Sequence, residues 1–134
     1  MGSLYDTDFY SWAMEQAALV RAGKLDRVDL EHVAEELETL GRSEASALKS
    51  SYRLILMHLL KWRYQPDKRS ESWRKTILRE RINLEENLEE NPGLKPKQTE
   101  LFFKAYDLAR KDAAIETGLP LSTFPAQPPF DLEP

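Results

Sequence analysis

Few side chains in this sequence can do acid–base or ligand chemistry, and their spacing limits which kind. There are two histidines, His32 and His58, and no cysteine, so thiol catalysis, disulfide frameworks and thiolate metal sites are excluded. His58 stands inside the apolar run from Leu54 to Leu60, one helical turn before Trp62. An imidazole there serves either as a general base with a carboxylate or as a core-edge residue bonded to a carboxylate or a backbone carbonyl. A buried imidazole needs only one partner, which favours the second reading. Asp29 and His32, at i and i+3, are the one local pair with metal-ligand character, but the Glu-x-x-His repetition of di-iron bundles is missing. No metal, no cofactor and no catalytic residue is therefore assigned. The serines cluster at Ser43 to Ser51 and Ser70 to Ser72, where helix starts explain them, and no nucleophile elbow or phosphate loop occurs.

Two further groupings carry charge. Glu36, beside Glu35 and Glu38, flanks the apolar stripe of its segment, while Arg74 and Arg81 lie beside Ile77, Leu84 and Leu88 on theirs. Together with His58 they form a candidate polar cluster: Glu36, His58, Arg74 and Arg81. An interhelical Arg–Glu pair is the simplest arrangement that makes those positions tolerable, and a small-anion pocket is the alternative. The second grouping interleaves aromatic and basic residues over 61–81, with Trp62, Tyr64 and Trp73 among Arg63, Lys68, Arg69, Lys75 and Arg79. Stacking faces beside phosphate neutralisers are what single-stranded nucleic acid requires. Against that reading, the sequence pI is about 5.3, and Trp62 and Trp73 also fit core stripes.

The net charge of -4 hides a block pattern. Residues 1–41 carry three basic and nine acidic side chains, residues 42–82 eleven and four, and residues 83–134 five and ten. A basic middle between acidic flanks is either an anion-binding surface or a segment paired with its own neighbours; the second is expected here. At 134 residues with 41% hydrophobic content, the chain is one domain's worth and can build a core without staples. No apolar stretch is long enough to span a bilayer, and the start lacks a signal-peptide pattern, so a cytoplasmic protein without membrane contact is expected.

The elements that would position these residues are helices. Apolar residues recur three or four apart between the punctuation marks Gly23, Gly41, Pro66, Pro92, Pro96 and Gly118. The pattern predicts helices at about 7–22, 30–40, 43–64, 71–91 and 97–117. Phe9, Trp12, Ala13, Gln16, Leu19 and Val20 form the inward stripe of the first; Leu30, Val33, Ala34, Leu37 and Leu40 that of the second. The third, greasy on most sides, is the central helix. Residues 118–134, holding five of the eight prolines, read as an extended tail, with Leu119 to Phe124 laid on the helices. No period-two segment suggests a sheet. The expected fold is all-α: a single-domain bundle of four to five helices over 1–134, covered by the Pro-rich tail.

These residues also carry a resemblance. The run Tyr5 to Trp12, Glu35-Glu36-Leu37-Glu38 with Leu40-Gly41-Arg42, Met57 to Trp62 with Tyr64-Gln65-Pro66, Arg69-Ser70 with Ser72-Trp73-Arg74, and Glu116 to Pro120 with Phe124-Pro125 resemble a bacterial family of uncharacterised proteins, domain of unknown function 29, over nearly the whole chain. The resemblance implies a small bacterial protein and brings no activity, cofactor or catalytic residue with it.

The functional expectation is a non-enzymatic protein-interaction or regulatory module, binding a protein partner or a second copy, with Leu119 to Phe130 as the docking segment. The alternative is nucleic-acid binding through the 61–81 segment. A weaker one is an enzyme using His58 with a carboxylate.

Overall fold

The computed structural model describes residues 3–131. Five α-helices follow in order: α1 (Leu4–Thr7), α2 (Phe9–Arg21), α3 (Leu30–Tyr64), α4 (Glu71–Glu90) and α5 (Gln98–Thr117), with short 3-10 turns between them and no strand among the described residues. The chain forms two compact units, one ending at Arg42 and the other beginning at Ser43, and α3 contributes to both.

The predicted break at Gly41 is absent, and α3 runs unbroken for 35 residues. A glycine stops a helix by taking a left-handed φ. Gly23 and Gly118 do so, at 74° and 73°, and follow the ends of α2 and α5; Gly41 does not. An interior glycine costs about 1 kcal/mol relative to alanine. No proline follows it before Pro66, and an i,i+4 pair, Glu38 with Arg42 at 3.6 Å, spans it.

In the N-terminal unit, Asp8 separates α1 from α2. Its carboxylate accepts from the Ser11 backbone N–H at 3.1 Å and the Ser11 hydroxyl at 2.6 Å, capping α2. A 3-10 turn at Leu25–Arg27 then leads to Asp29, whose side chain accepts weakly from the His32 N–H at 3.4 Å at the start of α3. Among the described residues of this unit only Trp12 and Gln16 are buried. The stripes expected to form a core are open instead: Leu30, Leu37 and Leu40 are 66%, 63% and 64% exposed, and Phe9 and Val20 are each 49% exposed. Two helices and a turn offer too few neighbours to cover stripes this wide.

The C-terminal unit has the opposite character. Leu48, Tyr52, Leu56 and Leu60 of α3 join Phe102, Ala105, Tyr106, Ala109 and Ala113 of α5 in one buried cluster. The alanines at 105, 109 and 113 are fully buried, so α5 presents a small-residue stripe to the large side chains of α3. Arg53 grips Asp112 with two bonds of 2.5 and 2.8 Å, and Lys61 reaches Glu116 at 3.1 Å. Ser70 caps α4 by accepting from the Trp73 N–H at 3.2 Å. After Gly118 the chain makes a 3-10 turn at Leu121–Thr123 and inserts Phe124 into the core, edge-on to Tyr64 with ring centroids 5.4 Å apart. Tyr106 donates to the Pro125 carbonyl at 2.6 Å, and Arg110 donates to the Phe124 carbonyl at 2.9 Å. Leu119, Phe124 and Phe130 of the tail pack in or against this cluster, while Pro120, Leu121 and Ser122 stay exposed. Leu132, with residues 133 and 134 of the predicted tail, lies outside the described residues.

Candidate functional site

The open stripes of the N-terminal unit bound a groove of about 690 Å³ between α2 and the first turns of α3. Phe9, Trp12 and Val20 line one wall, and Val33, Leu37 and Leu40 the other; Arg21 and Glu36 are the charged lining residues. This leaves a contiguous apolar surface open on an exposed helix pair. The sequence held the signal for it, since both stripes are full-width while only one short hairpin is available to bury them.

Glu36 belongs also to a closed polar cluster. It accepts a short hydrogen bond from the Tyr5 hydroxyl. The Tyr5 ring stacks on His32, with centroids 4.0 Å apart and 13° between planes, and meets Trp12 edge-on at 4.7 Å. His32 Nδ1 lies 2.7 Å from Asp29 Oδ2, the oxygen that also accepts from the Trp12 indole at 3.2 Å. The Asp29 backbone N–H donates to the Gln16 side chain at 2.7 Å. The hydrogen bond to His32 holds the Asp29 carboxyl below its ordinary value, and the same bond raises His32. The Tyr5 phenol is pushed up to about 12, chiefly by its bond to Glu36 and then by desolvation. Asp29 and His32 are thus bonded to each other, and among the described residues no three His, Asp or Glu side chains gather in metal-binding geometry. The cluster fixes the turn and α1 against α3; it presents paired groups rather than a free base.

The other members of the candidate cluster lie in the C-terminal unit. His58 is half-buried, with Nδ1 2.8 Å from the Leu54 carbonyl one turn back, a bond that needs no catalytic partner. Arg74 approaches Glu71 on its own helix at 3.6 Å. Within their own units, Glu36 thus bonds Tyr5 and Arg74 approaches Glu71. Arg74 and Arg81 do share a cavity of about 200 Å³ with Leu59, Trp62 and Ile77. His58 and Glu36 do not line it.

Arg63, Lys68, Arg69, Lys75 and Arg79 are all exposed, and none makes an ion pair among the described residues. The expected neutralisation of the basic block by its flanks is therefore partial, reaching Arg42, Arg53 and Lys61 through Glu38, Asp112 and Glu116. Many of the flanking acids are committed elsewhere, as with Asp29 to His32 and Glu100 to Lys104, or stand on the solvent side of the second half of α4, as with Glu85, Glu86, Glu89 and Glu90. The aromatic faces, in contrast, are covered by the protein's own cations. Arg69 lies 5.0 Å over Trp62 while bonding its carbonyl at 2.8 Å, Lys61 lies 4.6 Å over Trp73, and Arg63 lies 6.0 Å from Tyr64.

The described residues thus define an all-α protein with an open apolar groove on one unit and unpaired cations on the other; none of its helices is long and apolar enough to cross a membrane. The family model for the domain of unknown function DUF29 matches residues 4–134, and the chain belongs to that family. No curated protein and no solved structure matches it.

Proposed function

We propose that this protein is a non-enzymatic protein-interaction module and that the α2–α3 groove receives an apolar helix face. One observation carries the reading: Leu37 and Leu40, at i and i+3 on one side of α3, are more than 60% exposed while lining a concave surface. Leaving such side chains in water forfeits the favourable burial that a partner would restore. The Leu119 to Phe130 segment no longer suits the docking role, since Phe124 is enclosed in its own core. The test places a photo-crosslinking residue at Leu40 and, as a control, at Glu35, an exposed position set about half a helical turn away from the groove stripe. A discrete protein adduct from position 40 only is expected. With the adduct's partner purified, Leu37→Lys should weaken binding at least about tenfold, equivalent to about 1.4 kcal/mol. Absence of any adduct, or equal adducts from both positions, removes the groove as the contact surface.

The unpaired cations Arg63, Lys68, Arg69, Lys75 and Arg79 support a second reading, nucleic-acid binding at the α3–α4 corner. Because Trp62 and Trp73 are already capped by cations, binding would run through phosphate neutralisation and fall steeply with salt. An Arg69→Ala, Lys75→Ala double variant should flatten the dependence of log affinity on log salt by roughly one to two units. Binding of single-stranded RNA that is absent, or insensitive to salt, rules this reading out.

A further inference from the structure

We infer that the occupant of the groove is the same groove of a second copy, two N-terminal units packing face to face about a two-fold axis as a four-helix bundle. This rests on the interaction reading above and names its partner.

The first argument is the burial deficit. A unit of about 40 residues is near the size at which a chain folds only with a disulfide, a metal or a partner. This one has no cysteine and, among its described residues, shows no metal-binding group and buries only Trp12 and Gln16. Its missing half must be apolar along two adjacent helices, and an identical unit offers that shape. Two helices from each copy close a core in the arrangement of a four-helix bundle, through a self-complementary patch.

The second argument is where the charge lies. The N-terminal unit is strongly acidic as a whole, which would by itself suggest a basic partner and oppose self-association. Along α3, however, Glu31, Glu35 and Glu38 project away from the face carrying Val33, Leu37 and Leu40. The groove itself is lined by one cation, Arg21, and one anion, Glu36. A lining with one charge of each sign gives a basic helix little to grip. It is self-complementary under a two-fold operation, which sets Arg21 against Glu36 of the partner subunit and repeats the contact.

The third argument is area. Phe9, Val20, Leu37 and Leu40 of the groove, with Leu30 outside its lining but on the same stripe of α3, are 49–66% exposed, and enclosing all five in both copies buries on the order of 1,000 Å², the lower bound for a specific interface.

The test is sedimentation of the full chain, with twice the 15.5 kDa chain mass expected. Leu37→Lys should return it to the mass of one chain with helical circular dichroism retained, and Arg21→Glu should raise the dimer dissociation constant at least about tenfold. Should Leu37→Lys unfold the unit, a spin label at Ala17→Cys on the otherwise native sequence decides. The chain has no other cysteine, so any dipolar distance is intermolecular, and a single short one is expected from the groove wall. A mass of one chain up to about 1 mM protein, or a dimer with no dipolar distance at Ala17, overturns the inference. A monomer whose Leu40 crosslinks to a different protein also overturns it and leaves the interaction reading standing; a chain that crosslinks to nothing removes both.

Discussion

Phe124→Ala is expected to destabilise the C-terminal unit by about 3–5 kcal/mol, the usual cost of truncating a buried phenylalanine and leaving its space unfilled. Phe124 is 1% exposed and touches the cluster that joins α3 and α5. Its loss leaves Tyr64 without its edge-on partner and loosens the tail whose carbonyls satisfy Tyr106 and Arg110. Such a loss is a large fraction of the stability of an ordinary domain. Urea unfolding followed by circular dichroism measures it. Ile115→Ala, at a position 80% exposed on the same helix as Tyr106, should change stability by no more than about 0.5 kcal/mol. If the two substitutions behave alike, Phe124 is not a core residue.

Trp12→Ala should act on the other unit. The indole meets Tyr5 and Phe9 and donates to Asp29, and it is the one large apolar side chain buried among the described residues before Leu48. The truncation cost of about 3–5 kcal/mol matches everything a unit of about 40 residues is expected to hold, roughly 2–6 kcal/mol. Amide exchange should therefore accelerate across Phe9–Arg21 and Leu30–Leu40 while Leu48–Leu60 and Phe102–Ala113 keep their protection. Trp12→Phe, which keeps most of the contact area and loses the N–H to Asp29, should fall between. Protection lost evenly along the chain would mean that the two units unfold as one, against this expectation.

The parts of the fold readable in advance are those where local chemistry and tertiary packing agree. Gly118 was foreseen as a helix end and takes a left-handed φ. Leu48, Tyr52, Ile55, Leu56 and Leu60 recur three or four apart and are buried on α3, as Phe102, Tyr106, Ala109 and Ala113 are on α5. Gly41 misled because residue type gives only the freedom to break a helix, while the decision belongs to the flanking turns and to the Glu38–Arg42 pair. Leu30, Leu37 and Leu40 misled for a different reason. Periodicity reports which face is apolar and is silent on whether this chain supplies the cover. The site was therefore half legible: Asp29 with His32 could be seen as a pair from their spacing, whereas the Tyr5 bond to Glu36 spans 31 positions and leaves no periodic trace.

The contrast in sequence separation between the two units also orders the events of synthesis. The side-chain bonds described for the N-terminal unit, such as Tyr5 to Glu36, Trp12 to Asp29 and Glu38 to Arg42, join residues made before position 43, so these contacts can form while the rest of the chain is still being made. The core of the C-terminal unit has to wait for Phe124, which reaches back 60 positions to Tyr64. The short-range unit is thus the early one and the tail residue is the closing piece, so during each round of translation the apolar groove is presented while the rest of the chain is still being made.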